Sequence, residues 1–194
     1  MFEELIRSFI TLFIIVDPFV SAAVFISYCK DSDEKEKNKA LWTAILVAGA
    51  LLFIFLFVGL SLLNALGISF NGFRIAGGLI LLILGITTVL GIEYTKTGNK
   101  VRSAAILIGT PLLSGPGALT TIIILSKDYG YAIPGIAALA VVIVSFFIMK
   151  YANNVAKWIG TEMIEVFSKV LGLLLSALAV DFIYQGIIGF IRGG

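Results

Sequence analysis

Thr110-Pro111-Leu112-Leu113-Ser114-Gly115-Pro116-Gly117-Ala118-Leu119-Thr120-Thr121 lies within an apolar run from about Val101 to Leu125. Two prolines and two glycines interrupt that run at its centre. In a water-soluble chain this would be a turn between two helices, so the surroundings decide the reading. The chain has 194 residues, of which 59% are hydrophobic and 13% charged, and its mean hydropathy is +1.07. Soluble domains carry about 25% charged residues. The whole of 1–194 therefore reads as a single integral membrane domain, and the interruption as a membrane helix broken inside the bilayer. Backbone groups freed at that depth are tolerated where protein buries them or where they line a cavity. The break is thus a candidate site, weighed against a simple proline kink.

Composition removes several classes of function. No basic patch interleaves with aromatics, which argues against nucleic acid. Cys29 stands alone, so no intramolecular disulfide forms, and histidine is absent. The usual metal-ligand clusters and Ser-His or Cys-His dyads cannot be assembled. No metal site, no cofactor and no enzyme activity are expected. Leu113-Ser114-Gly115 is faintly like a serine intramembrane protease but lacks a base. Asp17 and Asp181 differ too much in depth for an aspartyl pair. Met1-Phe2-Glu3-Glu4 lacks the basic region that opens a signal peptide, so the first apolar run reads as a membrane segment.

Six runs meet the requirement of about 20 mainly apolar residues per span. They are Leu5–Tyr28, Ala40–Leu63, Asn71–Gly91, Ser103–Leu125, Tyr131–Met149 and Val166–Phe190. Between them lie the charged connector Lys30–Lys39, the short link Asn64–Phe70, the polar connector Glu93–Arg102 and the turn Lys127-Asp128-Tyr129-Gly130. The loop Lys150–Thr161 holds Tyr151 and Trp158, which suit the headgroup level. Nine of the 14 basic residues fall in connectors one–two, three–four and five–six, and Lys169, at the start of the sixth run, lies on the same side. The positive-inside rule places those connectors in the cytoplasm and both termini outside, in a multi-pass protein of the cell membrane.

An internal repeat is visible. Runs one and four are each broken centrally, at Asp17-Pro18 and at Ser114-Gly115-Pro116-Gly117. Runs three and six share Phe73-x4-Gly78-Leu79 and Phe167-x4-Gly172-Leu173. The offsets are 98 residues between Pro18 and Pro116 and 94 between Gly78 and Gly172. Three spans per half is an odd number, so the halves (about 1–92 and 101–194) would be inverted relative to one another. The expected fold is all-α: six transmembrane helices as two inverted three-helix repeats, with helices 1 and 4 broken at the midplane. Asp17 lies about 12 residues into its run, or about 18 Å, so both breaks fall near the centre of a core about 30 Å thick. Broken helices at matching positions of inverted halves point to a transporter site.

The residues at the breaks suit a zwitterion. Pro18 is favoured at the first position of a half-helix and Asp17 as its cap. Asp17 is also an ionisable group at a depth where charge is costly, and so a candidate ion-coupling group. Gly115-Pro116-Gly117 offers a second half-helix start whose free N–H groups attract a carboxylate. Thr120, Thr121 and Ser21 add hydroxyls within a turn or so, and Thr110 and Ser114 can serve orphan carbonyls before the break, beside Pro111. Back-bonding within its own helix is the competing role for one of the two threonines. Arg74 and Asp181 reach similar depths from the same side and are a candidate pair for a gate or clamp. The competing arrangement has Arg74 turned outward and Asp181 satisfied by Tyr184 or Gln185. Ala44-x3-Ala48, Gly78-x6-Gly85 and Gly172-x3-Ser176 read as packing seams.

Val16-Asp17-Pro18, the stretch Phe73-Arg74-Ile75-Ala76-Gly77-Gly78-Leu79 continuing to Ile86, and Pro111–Thr121 together resemble the MarC family, also called UPF0056. That family includes the SnatA small neutral amino acid transporters. The resemblance covers nearly the whole chain, and Pro-Leu-x-x-Gly-Pro-Gly-Ala-x-Thr-Thr is its most specific part. It implies six membrane helices and transport of glycine, alanine and similar amino acids, with H+ or Na+ as the coupling ion. The partners expected are the lipid bilayer, the amino acid, and further copies of the chain if it forms a homo-oligomer. After Asp-Pro the family tends to continue x-Gly-Asn-x-Pro, whereas here Phe19-Val20-Ser21-Ala22-Ala23 follows. Where Asp181 stands, relatives often have Gln, which leaves Asp17 the better coupling group. The alternative function is a channel-like or structural membrane protein without coupled transport.

Overall fold

The computed structural model describes residues 2–29, 32–91, 113–152 and 160–192, and among these every regular element is an α-helix. They are α1 (Phe2–Val16), α2 (Pro18–Tyr28), α3 (Glu34–Ala65), α4 (Phe70–Val89), α5 (Pro116–Tyr129), α6 (Ala132–Lys150) and α7 (Thr161–Ile191). Four of these hold stretches long and apolar enough to cross a membrane: α3, α4, α6 and α7. These match the second, third, fifth and sixth expected runs. The first run is two helices, as its Asp17-Pro18 suggested. Of the fourth, only the part from Leu113 onward is described, so Thr110 and Pro111 lie outside the described residues, as does Trp158.

Three helices run further than their apolar stretches. Asp33 caps α3 by accepting a hydrogen bond from the Glu36 N–H at 2.7 Å, and Glu34 and Glu36 sit in its first turn. Acidic residues are favoured at a helix N-terminus. Most of the charged connector is therefore the first turn of α3 rather than a loop. At its far end Gly67 has φ 66°, and the Ile68 N–H reaches back to the Leu63 carbonyl at 2.9 Å. This left-handed closure needs no Cβ and satisfies carbonyls the helix end would orphan. Ser69 then caps α4 through the Gly72 N–H at 3.1 Å. The expected turn at Lys127–Gly130 is instead the last turn of α5, which ends at Gly130 (φ 74°). α7 likewise begins within the expected loop before Val166.

The exposed faces are apolar: Leu46 is 63% exposed, Ile83 59%, Phe57 58% and Leu173 64%. Soluble proteins rarely leave such continuous apolar surface in water, so lipid is its solvent. Helix α5 is the exception. Every residue from Thr120 to Ser126 is buried. A helix apolar and buried on all sides sits at the centre of its bundle, and α5 packs on α1, α3, α4 and α6.

The most extensive helix pair is α4 with α7. A Cβ on Gly78 would come 2.8 Å from the Ala179 carbonyl oxygen, one on Gly85 2.8 Å from that of Gly172, and one on Gly186 2.9 Å from that of Asn71. The pairing runs antiparallel, and backbones approach this closely only where side chains are absent. Without a hydrophobic driving force in lipid, such contact is what holds helices together. The seams read at Gly78, Gly85, Gly172 and Ser176 are thus the two sides of one interface.

Candidate functional site

The first break is built by three residues. Asp17 has φ 39° and ψ 73°, the only non-glycine residue with positive φ among those described. Its N–H still closes α1 onto the Phe13 carbonyl at 3.1 Å. Pro18 follows as the first residue of α2 and has no N–H for the Ile14 carbonyl. The Asp17 carboxylate accepts from the Val20 N–H at 3.2 Å, which caps the new helix. Left-handed backbone is costly for L-residues, Asp and Asn excepted in part because their side chains bond locally. Asp17 does this here.

The second break is made differently. Gly115 is the N-cap of α5, Pro116 is at its start, and no side chain caps it. As a glycine, Gly115 has no side chain with which to cap the first-turn N–H groups. Gly115 and Gly117 are buried and Ser114 is 2% exposed, while Pro116 itself is exposed. Thr120 Oγ1 donates to the Pro116 carbonyl at 2.7 Å, the back-bonded role. Thr121 is fully buried and its hydroxyl has no partner. Ser21, one turn into α2, is also fully buried with an unpartnered hydroxyl.

The two breaks touch. A Cβ on Gly117 would lie 2.3 Å from Leu81 Cδ2 and 3.5 Å from Ile15 Cγ2. Ile15 is two residues before Asp17, so the end of α1 lies against the start of α5. From here α2 and α5 depart in opposite directions: α2 toward the end where α3 starts, α5 toward the end where α4 starts. Two helix N-termini, each with its partial positive charge, thus open near one another inside the bundle.

Arg74 and Asp181 do not pair; Asp181 takes Gln185, as in the competing arrangement, and Arg74 takes a different acid. Arg74 Nη2 donates to the Asp128 carboxylate at the end of α5, and its guanidinium lies 5.0 Å from the Phe70 ring centroid. Asp181 accepts from Gln185 Nε2 at 2.6 Å, one turn along its own helix. The reason is reach along the bundle axis. Because α5 continues to Tyr129, Asp128 stands on a helix facing the first turn of α4. Sequence reading missed Asp128 by assigning it to a turn, although a lone acid opposite Arg74 at the same bundle end was a usable signal. It also missed Ile15, Gly77 and Leu81, which read as bulk apolar or packing residues.

Cavities stand at opposite ends of the bundle. One of about 290 Å³ lies where α1 and α4 begin and α5 and α7 end; Arg7, Arg74, Asp128 and Asp181 line it. Another of about 230 Å³ lies where α2 and α6 end and α3 begins, lined by Cys29, Glu34, Lys37 and Lys150. There Lys37 and Glu34 pair at 3.0 Å.

A sequence model described as "MarC family integral membrane protein" matches residues 2–191. The chain belongs to the MarC family. Among relatives, a UPF0056 membrane protein of Methanocaldococcus jannaschii is 31% identical, covering 96% of this chain and 97% of its own. UPF0056 membrane protein YhcE of Escherichia coli K12 is 30% identical, covering 99% and 95%. One from Buchnera aphidicola (Schizaphis graminum) is 30% identical, covering 96% and 92%. No solved structure matches the chain. In this MarC-family protein, then, the end of α1 at the first break lies against the start of α5 at the second, and Ser21 and Thr121 are buried about one turn into α2 and α5 respectively.

Proposed function

We propose that this MarC-family protein is a secondary transporter of small neutral amino acids across the cell membrane, coupled to H+ or Na+, and not an enzyme. The observation that carries the reading is the contact between the breaks. An uncapped start of α5 lies against the end of α1 through Gly117 and Ile15, and two buried hydroxyls, Ser21 and Thr121, have no protein partner. Buried polar groups are nearly always hydrogen-bonded, so exceptions ask for an unseen partner. A carboxylate at the free N–H groups of α5 supplies one. Asp17 and freed carbonyls would receive the ammonium or the ion, and apolar neighbours such as Leu113 and Ile15 would favour a small uncharged side chain.

In the architecture that goes with this function, α1 with α2 forms one broken span and α5 the second half of another. Six spans then divide into two inverted halves, with α4 and α7 as equivalents; Gly78 and Gly85 correspond to Gly172 and Ala179 at the same offset. Alternating access follows if one half moves against the other around the breaks. The termini, and the cavity beside Arg74, would face outside.

Uptake of labelled alanine and glycine into proteoliposomes, with and without an imposed proton or sodium gradient, tests the reading. Gradient-driven accumulation is expected. No uptake in any gradient direction across a panel of small amino acids overturns it and leaves a channel-like or structural protein.

A further inference from the structure

The cavity beside Arg74 has a composition that the central site does not explain. Two cations and two carboxylates line it: Arg7 and Arg74, Asp128 and Asp181. Arg74 and Asp128 neutralise one another, with side chains 11% and 36% exposed. Arg74 Nε is buried with no acceptor. Asp181 engages only the neutral amide of Gln185. The exposed Arg7 and the Arg74 guanidinium line the same cavity as Asp181, which at full ionisation of these four groups carries no net charge.

We infer that this cavity is a second, peripheral binding site for a small zwitterionic amino acid, holding the carboxylate at Arg74 and Arg7 and the ammonium at Asp181. The donor fork of arginine suits a carboxylate, and the exposed Arg7 has no carboxylate partner among the described residues. A lone anion would face Asp181 and a lone cation would face Arg74, so both are disfavoured relative to a molecule carrying the two charges together. At about 290 Å³ the cavity has room for a two- or three-carbon amino acid. Ile124, Leu125 and Phe182 form apolar wall. The substrate class rests on the transport reading above; the cavity and its charges do not.

Replacing Cys29, the single cysteine, by Ala gives a background in which Leu178→Cys places a reporter in the cavity wall, with Thr11→Cys as a second reporter should the first not fold. Both residues line the cavity, and neither carries its charge. The rate of modification by a charged methanethiosulfonate is followed in nanodiscs, where both faces are accessible. Glycine or alanine should slow labelling by the factor 1 + [L]/Kd, about elevenfold at ten times Kd. Acetate and methylammonium should leave the rate unchanged, and Asp181→Asn should abolish the protection. Protection should persist in Gly115→Leu, whose central break is closed. Unprotected reporters alongside normal gradient-driven uptake overturn the second site and leave the transport reading standing. Protection that acetate reproduces overturns the zwitterion assignment. Protection without uptake in any gradient retains the site and sinks the transporter.

Discussion

Gly77→Ala tests how the second break is held. A Cβ at Gly77 would stand 1.9 Å from Thr120 Cγ2, 2.9 Å from its Cβ and 3.0 Å from Oγ1. Carbon atoms rest at about 3.5–4.0 Å, so the Thr120 methyl or one of the helices must shift by about 1.5 Å or more. Thr120 cannot simply rotate, because its hydroxyl is bonded to the Pro116 carbonyl at 2.7 Å and a new rotamer breaks that bond. Overpacking of this kind costs about 1–3 kcal/mol. Thr120→Ser removes the clashing methyl and keeps the hydroxyl. The double variant should therefore recover about half the loss, a coupling of about 1 kcal/mol, within the range of residues in contact. The four proteins of this cycle can be compared by SDS-induced unfolding in mixed micelles, with labelled-alanine uptake beside it, since a displaced α5 start should also weaken uptake. Gly49→Ala is the control: its Cβ would meet Val142 Cγ1 at 3.7 Å, an ordinary contact. A Gly77→Ala protein within about 0.5 kcal/mol of that control, or one that Thr120→Ser does not relieve, would refute the packing described at the break.

Asp17→Asn keeps a cap that tolerates left-handed backbone, so stability should change little while ion-dependent uptake is lost; Asp17→Leu should cost about 2 kcal/mol or more from lost cap and backbone strain together. Unchanged ion dependence in the Asn variant, measured against proton and sodium gradients, would make Asp17 a cap only. Thr121→Val and Ser21→Ala remove unpartnered hydroxyls, which by itself should not destabilise, yet each should raise the KM for alanine about 5–30-fold if substrate supplies the missing bond at about 1–2 kcal/mol; unchanged KM in both places the substrate elsewhere. Gly85→Val sets a branched side chain against the Gly172 carbonyl and should prevent a stable fold, read as loss of the monodisperse peak in detergent chromatography.

The broad outline was legible because membrane physics leaves few options. An apolar run of about 20 residues must be a helix or a closed barrel strand set, and proline beside aspartate or glycine must break such a helix. Helix lengths were less legible. Glu34, Glu36 and Lys37 read as a solvated connector because charge masks the helix signal, whereas the Asp33 cap and the helix dipole extend α3 through them. The same error at Lys127–Gly130 hid the partner of Arg74. A span was judged by its apolar length, but α5 carries its last turn past the apolar segment, and only that turn brings Asp128 to Arg74.

Gly77 and Gly78 show the kind of fact that sequence pattern withholds. Only Gly78 reads as part of a seam, yet successive residues on a helix point about 100° apart, and the two glycines meet different neighbours. Gly78 admits the backbone of α7, whereas Gly77 admits the Thr120 side chain of α5. The same short stretch of α4 therefore joins two partners: a long, backbone-close antiparallel seam on one side and, on the other, the first turn of the helix whose start is free for a ligand. The Thr120 methyl fills the space left by Gly77 while its hydroxyl holds the Pro116 carbonyl, so packing against α4 fixes the geometry of the break itself. One threonine is consumed in building the break, and its neighbour Thr121, turned by the same 100°, keeps a buried hydroxyl with no partner among the described residues.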